Sequence, residues 1–333
     1  MRAVVITKHG GRGVMQVQER PDPPLLPGGV RIDVAAAGVN FADVMARIGV
    51  YPDAPKPPSV VGYEVAGTVL EVGEGADGVV PGQRVLAGTL FDGYSSQVVV
   101  PASDVVPLPD ALGFAAGAAI PVNYATAWAA LIGYGSLRAG ERVLIHSAGG
   151  GVGIAATQIA KRAGAEVYGT ASPGKHERIR ELGVDHALDY TSPGWEQGLE
   201  PFDVILDAVA GKSFRTSYSL LAPGGRLVAF GASAVVSGQR RNLLSALGTV
   251  LRMPRFNLIK QMSESKAVIG LNMLTLWKHR GTLAPWIDPL RELLEDGTVA
   301  PVVAGEFSFE DAGEAHAMLE QRRNLGKVVL VPS

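Results

Sequence analysis

The sequence predicts an α/β chain of two domains, in which a doubly wound parallel sheet interrupts a β-rich, partly open barrel. Three observations predict it. The 333 residues suffice for two apolar cores at roughly 150 residues per domain. Before Pro121 the apolar runs are short, β-rich and separated by Gly and Pro turns. From Arg142 onward, strand-like and helix-like runs alternate at short range, as they do when crossover helices cover a parallel sheet.

In chain order, Ala3–Thr7, Val30–Ala36, Glu64–Val72, Arg84–Ala87 and Ser95–Val100 read as strands. Turns such as Pro27-Gly28-Gly29 and Pro81-Gly82 fall at irregular spacing, which suits a barrel and excludes a repeat. A helix-like stretch, Tyr124–Leu131, leads into strand Arg142–Ser147, helix Val152–Ala163 stopped by Gly164, strand Glu166–Thr170 and helix Lys175–Leu182 stopped by Gly183. Strands His186–Tyr190 and Phe202–Asp207, a helix near Ser213–Leu221, the turn Pro223-Gly224-Gly225 and strand Arg226–Phe230 complete this pattern. Lys266–Asn272 reads as a further strand. Trp286–Glu295 carries Ile287, Leu290, Leu293 and Leu294 at helical spacing. Ser308, with Asp311 three residues on, caps a helix over 309–322. A closing strand, Gly326–Val331, would most economically rejoin the first domain. The expected division is therefore 1–121 plus 266–333 around a doubly wound domain of 122–265.

Thirty basic against thirty-two acidic residues leave a net charge of −2, so no global positive field gathers nucleic acid. With no cysteine, disulfides, iron–sulfur clusters, thiolate zinc sites and thiol nucleophiles are excluded. The six histidines, His9, His146, His176, His186, His279 and His316, include no i, i+4 pair, and no metal site is expected. The N-terminal apolar run Ala3–Ile6 is shorter than the roughly 7–15 residues of a signal-peptide core, so a cytoplasmic protein is expected. The longest apolar stretch, Ala111–Val122, is broken by Gly113, Gly117 and Pro121 and falls short of the ~18 residues that span a bilayer.

Directly after the strand ending at Ser147 comes Ala148-Gly149-Gly150-Gly151-Val152-Gly153. Small residues let the backbone turn tightly against a diphosphate, and the helix that begins near Val152 points free N–H groups at it. Taken alone the string could be a flexible loop; the flanking strand and helix favour a dinucleotide site. A site for NAD would carry an acidic residue about 20 positions on. Here the second strand ends Gly169-Thr170-Ala171-Ser172, followed by Lys175 and His176. One cation and two hydroxyls, with no carboxylate, favour NADPH; the plainer reading of Lys175 is a solvated first-turn residue.

Gly140-Glu141, Leu144, Ala148-Gly149-Gly150-Gly151, Gly153, Gln158 and Lys161 together resemble the signature of the medium-chain dehydrogenase/reductase superfamily, in its quinone oxidoreductase and zeta-crystallin branch. The resemblance covers essentially the whole chain. Val39–Pro52, Pro121–Trp128, Gly169–Glu177 and Asn324–Pro332 are similar to homologues of the synaptic-vesicle membrane protein VAT-1. The resemblance implies a Rossmann domain and a discontinuous GroES-like barrel. It also implies a departure from the zinc alcohol dehydrogenases, which place a zinc-binding histidine between Gly and Glu where this chain has Gly62-Tyr63-Glu64, and a zinc-binding cysteine where it has Gly38-Val39-Asn40. Without that Lewis acid a zinc-independent reductase is expected.

The implied chemistry is hydride transfer from NADPH to a quinone or an α,β-unsaturated carbonyl, with the cofactor in the cleft between the domains. By resemblance, Asn40, Asp43 and Tyr51 lie beside nicotinamide and substrate, and Asn123, Tyr124 and Thr126 line the cleft. The loop residues Ser147, Ala148, Gly149, Gly150, Gly151 and Val152 hold the diphosphate; Thr170, Ser172 and Lys175 face the 2′-phosphate; Tyr190, Phe230, Gly231 and Ser233 border the cofactor; Asn324 and Lys327 close over it. Plainer roles stand beside these. Asn40 could tie a turn, Asp43 cap a short helix, Tyr51 pack as an aromatic, and His146 sit satisfied in a core strand. Tyr51 bears on the acceptor, because an enoyl thioester leaves an enolate that a tyrosine can stabilise, whereas a quinone needs little acid help.

The 56 residues between Asp207 and Glu264 hold no acid and eight bases: Lys212, Arg215, Arg226, Arg240, Arg241, Arg252, Arg255 and Lys260. Over 240–260 the bases interleave with Leu243, Leu244, Leu247, Val250, Leu251, Phe256, Leu258 and Ile259, which suits a buried lid, a dimer element or peripheral membrane contact. A homodimer is expected, paired through Lys266–Asn272. Beside the quinone or enone reductase stand an enoyl-thioester reductase and a low-turnover NADPH-binding protein that works through lipid or protein contacts.

Overall fold

The computed structural model describes residues 1–235, 248 and 253–332. Among these the chain forms two compact units, one of residues 1–125 and 274–332, the other of 126–235, 248 and 253–273.

The first unit contains β1 (Arg2–Ile6), β2 (Met15–Glu19), β3 (Gly29–Val39), helix α1 (Phe41–Ile48), β4 (Ser59–Val60), β5 (Glu64–Val72), β6 (Arg84–Gly88), β7 (Gln97–Pro101) and β8 (Val105–Pro107). Strand β3 is the hub: it pairs antiparallel with β5, with β7 and with the C-terminal strand Lys327–Val331. Register shifts at Arg31/Ile32 and Val34/Ala36 bend it, as bulges do in a closing sheet. Gly67 sits opposite, where a Cβ would lie 2.0 Å from the Asp33 carbonyl oxygen, so only glycine lets the strands cross this closely. Val30, Ile32, Val65, Val69, Val85 and Leu330 pack the interior. The C-terminal strand thus rejoins the first unit by pairing with β3.

The second unit is a six-stranded parallel sheet. Its strands are β9 (Arg142–Ile145), β10 (Glu166–Ala171), β11 (His186–Asp189), β12 (Phe202–Asp207), β13 (Leu221–Ala229) and β14 (Ala267–Gly270), in the order β11-β10-β9-β12-β13-β14. The order reverses between β9 and β12, the point at which doubly wound sheets receive ligands. Helix α2 (Gly151–Arg162) follows β9, with Gly164 at φ 78° just beyond its end. The turn Pro223-Gly224-Gly225 lies within β13 as a register shift against β12.

Several sequence expectations shift. Ala267–Gly270 pairs parallel with β13 and belongs to the second unit; its apolar side chains continue that sheet, which moves the boundary from 265/266 to 273/274. It is also shorter than the expected Lys266–Asn272 and forms the edge of the sheet. The other boundary falls at 125/126, which places Asn123 in the first unit. The apolar helical run is longer than expected as well: Phe114–Tyr134 is long and apolar enough to cross a membrane by length and composition, and 72% of its window is buried within the protein. Gly117 and Pro121 do interrupt it, as expected: one helix, Phe114–Gly117, ends at Gly117, which packs its bare Cα against Ala66 and Leu108, and the next, Pro121–Trp128, begins at Pro121 in its first turn. Of the 240–260 segment, only residue 248 and 253–260 are described; Arg240, Arg241, Leu243, Leu244, Leu247, Val250, Leu251 and Arg252 lie outside the described residues.

Candidate active site

In the first unit three polar side chains from distant parts of the chain close on one another. Asn40 follows the end of β3, Glu64 begins β5 and Lys327 begins the C-terminal strand; the pairings of β3 with both neighbours bring them together. Lys327 Nζ donates to Asn40 Oδ1 at 2.6 Å and forms an ion pair with Glu64 Oε1. Asn40 Nδ2 donates to the same Glu64 oxygen at 3.0 Å, and Val122 N–H donates to Glu64 Oε2 at 2.7 Å. Both orientations of the Asn40 amide are thereby fixed.

Asp43, in the first turn of α1, is fully buried. Its Oδ2 accepts from Asn40 N–H at 2.7 Å and from the Tyr94 hydroxyl at 3.0 Å, and its Oδ1 accepts from Gly62 N–H at 3.0 Å. Burial pushes its carboxyl up to about 7, against the opposing pull of these bonds and of Lys327. Tyr94 in turn meets His316 Nε2 at 3.2 Å, and burial holds His316 neutral. Asp43 therefore caps the helix and also binds the backbone of Asn40 to that of Gly62. Half-buried Tyr51 has its phenol pushed up to about 12, by burial first and then by Asp53 and Asp43. Buried Tyr63 lies beside it, the interaction of the two hydroxyls drawing the Tyr51 phenol down and the Tyr63 phenol up, and its ring is 5.1 Å from that of Phe91. Asn123 donates to the Ala119 carbonyl at 2.9 Å, and Asn324 to the Gly326 carbonyl at 2.9 Å.

The second unit presents the glycine loop. Ser147 is left-handed at φ 57°, Gly150 precedes α2 with extended backbone and no capping side chain, and Gly153 fits where a Cβ would lie 2.4 Å from the Ser147 carbonyl. The uncapped N–H groups of Gly151 and Val152 suit an anion. A Cβ on Gly149 would meet Lys175 Cδ at 3.4 Å, so the lysine stem lies beside the loop; partial burial lowers its ammonium. Thr170 is buried, its hydroxyl between Ser147 N–H at 3.2 Å and His146 Nδ1 at 3.3 Å, so it supports the loop from beneath. Ser172 precedes the short turn Pro173–Lys175. Tyr190 is exposed beyond β11; Phe230 N–H donates to the Asp207 carbonyl and Ser233 N–H to that of Ala208, and Gly231 packs on Ala208. Thr126 is buried. These residues suit a dinucleotide: a bare-backbone cradle, unfilled donors and a neighbouring cation.

A zinc ion does not fit the first unit. In the Gly38-Val39-Asn40 stretch, a Cβ on Gly38 would lie 2.5 Å from the Ala118 carbonyl and 2.6 Å from Glu64, and the Asn40 amide is already engaged by Lys327 and Glu64. Both Glu64 oxygens are engaged, and Tyr63 is a poor ligand with burial and the Asp43 charge both opposing its ionisation. Among the described residues no three His, Asp or Glu side chains gather as metal ligands.

Sequence reasoning missed Glu64 as a partner of Asn40 and Lys327, the Tyr94–His316 pair beneath Asp43, and Asp207 with Ser217. The polar residues that interrupt apolar strands, His146 and Asp207, were the available signal.

Residues 26–110 match the family model described as alcohol dehydrogenase GroES-like domain, and residues 182–330 match that described as zinc-binding dehydrogenase. The synaptic vesicle membrane protein VAT-1 homolog of Rattus norvegicus is 33% identical over 340 residues, covering 100% of this chain and 84% of its own length. Among solved structures, a quinone oxidoreductase of Pseudomonas syringae pv. tomato is 29% identical with a TM-score of 0.84 and 99% of each chain covered. The CurK enoyl reductase is 26% identical with a TM-score of 0.87, covering 100% of this chain and 99% of its own. A mycobacterial protein complexed with NADPH is 28% identical with a TM-score of 0.83 over 100% of both chains. With these matches across both units, the chain belongs to the medium-chain dehydrogenase/reductase superfamily and is an oxidoreductase of that family.

Proposed function

We propose that this protein is an NADPH-dependent reductase that works without zinc and delivers hydride to a quinone or an α,β-unsaturated carbonyl. The observation that carries the reading is the glycine cradle between Ser147 and Gly153, with Lys175 beside it and no carboxylate among the residues Gly169-Thr170-Ala171-Ser172 that end β10. A carboxylate there would repel a 2′-phosphate; a cation attracts it. The NADPH-bound mycobacterial relative supports the same choice. The reduced nicotinamide supplies the hydride, and the protein's own residues bind and orient the reactants.

In this reading Gly151 and Val152 N–H hold the diphosphate and Lys175 faces the 2′-phosphate. Lys327 and Glu64 fix the Asn40 amide, and Asp43 fixes the backbone of Asn40 and Gly62. Tyr51 carries its proton across the whole neutral range, which suits a donor to an oxyanion formed on the acceptor. That observation also favours the second reading, an enoyl-thioester reductase, in line with the likeness to CurK.

Steady-state oxidation of NADPH with 1,4-naphthoquinone, 9,10-phenanthrenequinone, an enal and an enoyl thioester tests both. Turnover with quinone or enal is expected. Turnover with the thioester alone would select the second reading. Absence of turnover with all four, with NADPH bound and liposomes sedimenting the protein, would replace both with a lipid-contacting NADPH-binding protein.

A further inference from the structure

Beneath the glycine loop lies a buried chain of polar side chains that the hydride chemistry does not use. Asp207, at the end of β12, is a fully buried carboxylate with four donors. Its Oδ1 accepts from Val209 N–H at 2.8 Å and Ala210 N–H at 3.4 Å; its Oδ2 accepts from the hydroxyls of Ser213 at 2.7 Å and Ser217 at 2.8 Å. A hydroxyl has one proton to give, and Ser217 gives its own to the carboxylate, the stronger acceptor. Toward His146 Nε2, 3.0 Å away, the Ser217 oxygen is therefore an acceptor, and Nε2 carries the hydrogen.

Burial outweighs the attraction of Asp207, whose Oδ2 stands 3.9 Å from Nε2, and keeps His146 neutral. A neutral imidazole with a proton on Nε2 has a bare Nδ1. That nitrogen accepts from the Thr170 hydroxyl at 3.3 Å, and the Thr170 oxygen accepts from Ser147 N–H at 3.2 Å. Each proton is placed once, and the direction of every bond follows from the carboxylate.

We propose that His146, as the Nε2–H tautomer, is a positioning residue for the dinucleotide loop, the central link in a one-way file from Ser147 N–H through Thr170, His146 and Ser217 to Asp207. The file crosses β10, β9 and β12, and so spans the place where the sheet order reverses. At one end it holds Ser147, whose left-handed backbone starts the loop. At the other, Asp207 holds the turn after β12, whose Ala208 and Val209 carbonyls accept from Ser233 N–H at 3.0 Å and Ala234 N–H at 2.9 Å. Two loops at the carboxyl edge of one sheet are thus braced by a single polar network. This inference rests on the loop's being the NADPH site.

The test is the pair Thr170→Val and Thr170→Ser, with the wild type, by calorimetry with NADPH and NADH and by steady-state kinetics. Loss of the hydroxyl leaves Ser147 N–H and Nδ1 without partners, so Thr170→Val should raise Kd about tenfold for NADPH and NADH alike, whereas a direct contact with the 2′-phosphate would weaken NADPH alone. Thr170→Ser should restore wild-type values. Equal affinity in the valine variant and the wild type would overturn the proposal. Independently, 15N spectra of the histidine rings in the wild-type protein should show His146 neutral with hydrogen on Nε2 at pH 7; an Nδ1–H form or an imidazolium would overturn it even if the variants fail to fold. A wild type with no heat of NADPH binding would sink the cofactor reading instead, and the ring spectra would still decide the direction of the file.

Discussion

Lys327 reaches Asn40 across 287 positions of sequence, its Nζ 2.6 Å from Asn40 Oδ1, and on the way neutralises Glu64 in a fully buried setting. The strand pairing that closes the first unit is thus also what fixes the Asn40 amide.

Removing the cation should strand a buried carboxylate. Lys327→Met is expected to lower stability by about 3 kcal/mol in urea unfolding, and adding Glu64→Gln should recover part of the loss. A double variant no better than the single one would show that the pair contributes through packing alone.

Asp43 ties stability to pH. Its carboxyl lies near 7 in the folded chain and near 3.8 when unfolded, so between those values the folded state holds the extra proton. Stability should therefore fall as pH rises from about 4 to 7 and level off above it. Asp43→Asn should flatten that slope, as read by urea midpoints at pH 4.5, 5.5, 6.5 and 7.5; an unchanged slope would place the titration elsewhere.

Tyr51→Phe removes a proton donor without removing a ring. Enone reduction should drop at least tenfold in kcat while quinone reduction changes little, given the usual gain of ~10²–10⁴ from general acids. Equal losses with both acceptors would reduce Tyr51 to packing.

If Lys175 faces the 2′-phosphate as proposed, Lys175→Ala should weaken NADPH about tenfold and NADH hardly at all, because only the former carries that phosphate. Dissociation constants from nicotinamide fluorescence measure this; a matching loss for both would dismiss the contact.

Gly153→Ala places a methyl 2.4 Å from the Ser147 carbonyl and 2.7 Å from Ala148 Cα. The loop must shift, and NADPH binding should be lost while the far-UV circular dichroism stays that of the wild type. Retained affinity would mean the cradle tolerates a wider turn.

The second unit was largely readable because its signals are local. Phe202–Asp207 is a strand over the very residues whose apolar run predicts it, and the glycine loop announces itself because its backbone cannot accept side chains. Elements with weaker local signals escaped: Val303–Ser308 carries Gly305 and Glu306 and becomes a strand by pairing with Lys327–Val331, while α1 showed only its capping aspartate. The contacts of the site are the least legible part. Glu64 and Asn40 lie 24 residues apart, and no periodicity connects them; the register of β3 against β5 does.

The crowding at Gly38 constrains how this chain can change. A cysteine introduced there would need the Ala118 carbonyl and the Glu64 side chain to retreat together, and Glu64 is anchored by Lys327. Placing any side chain at this position is therefore a concerted remodelling of three separate segments.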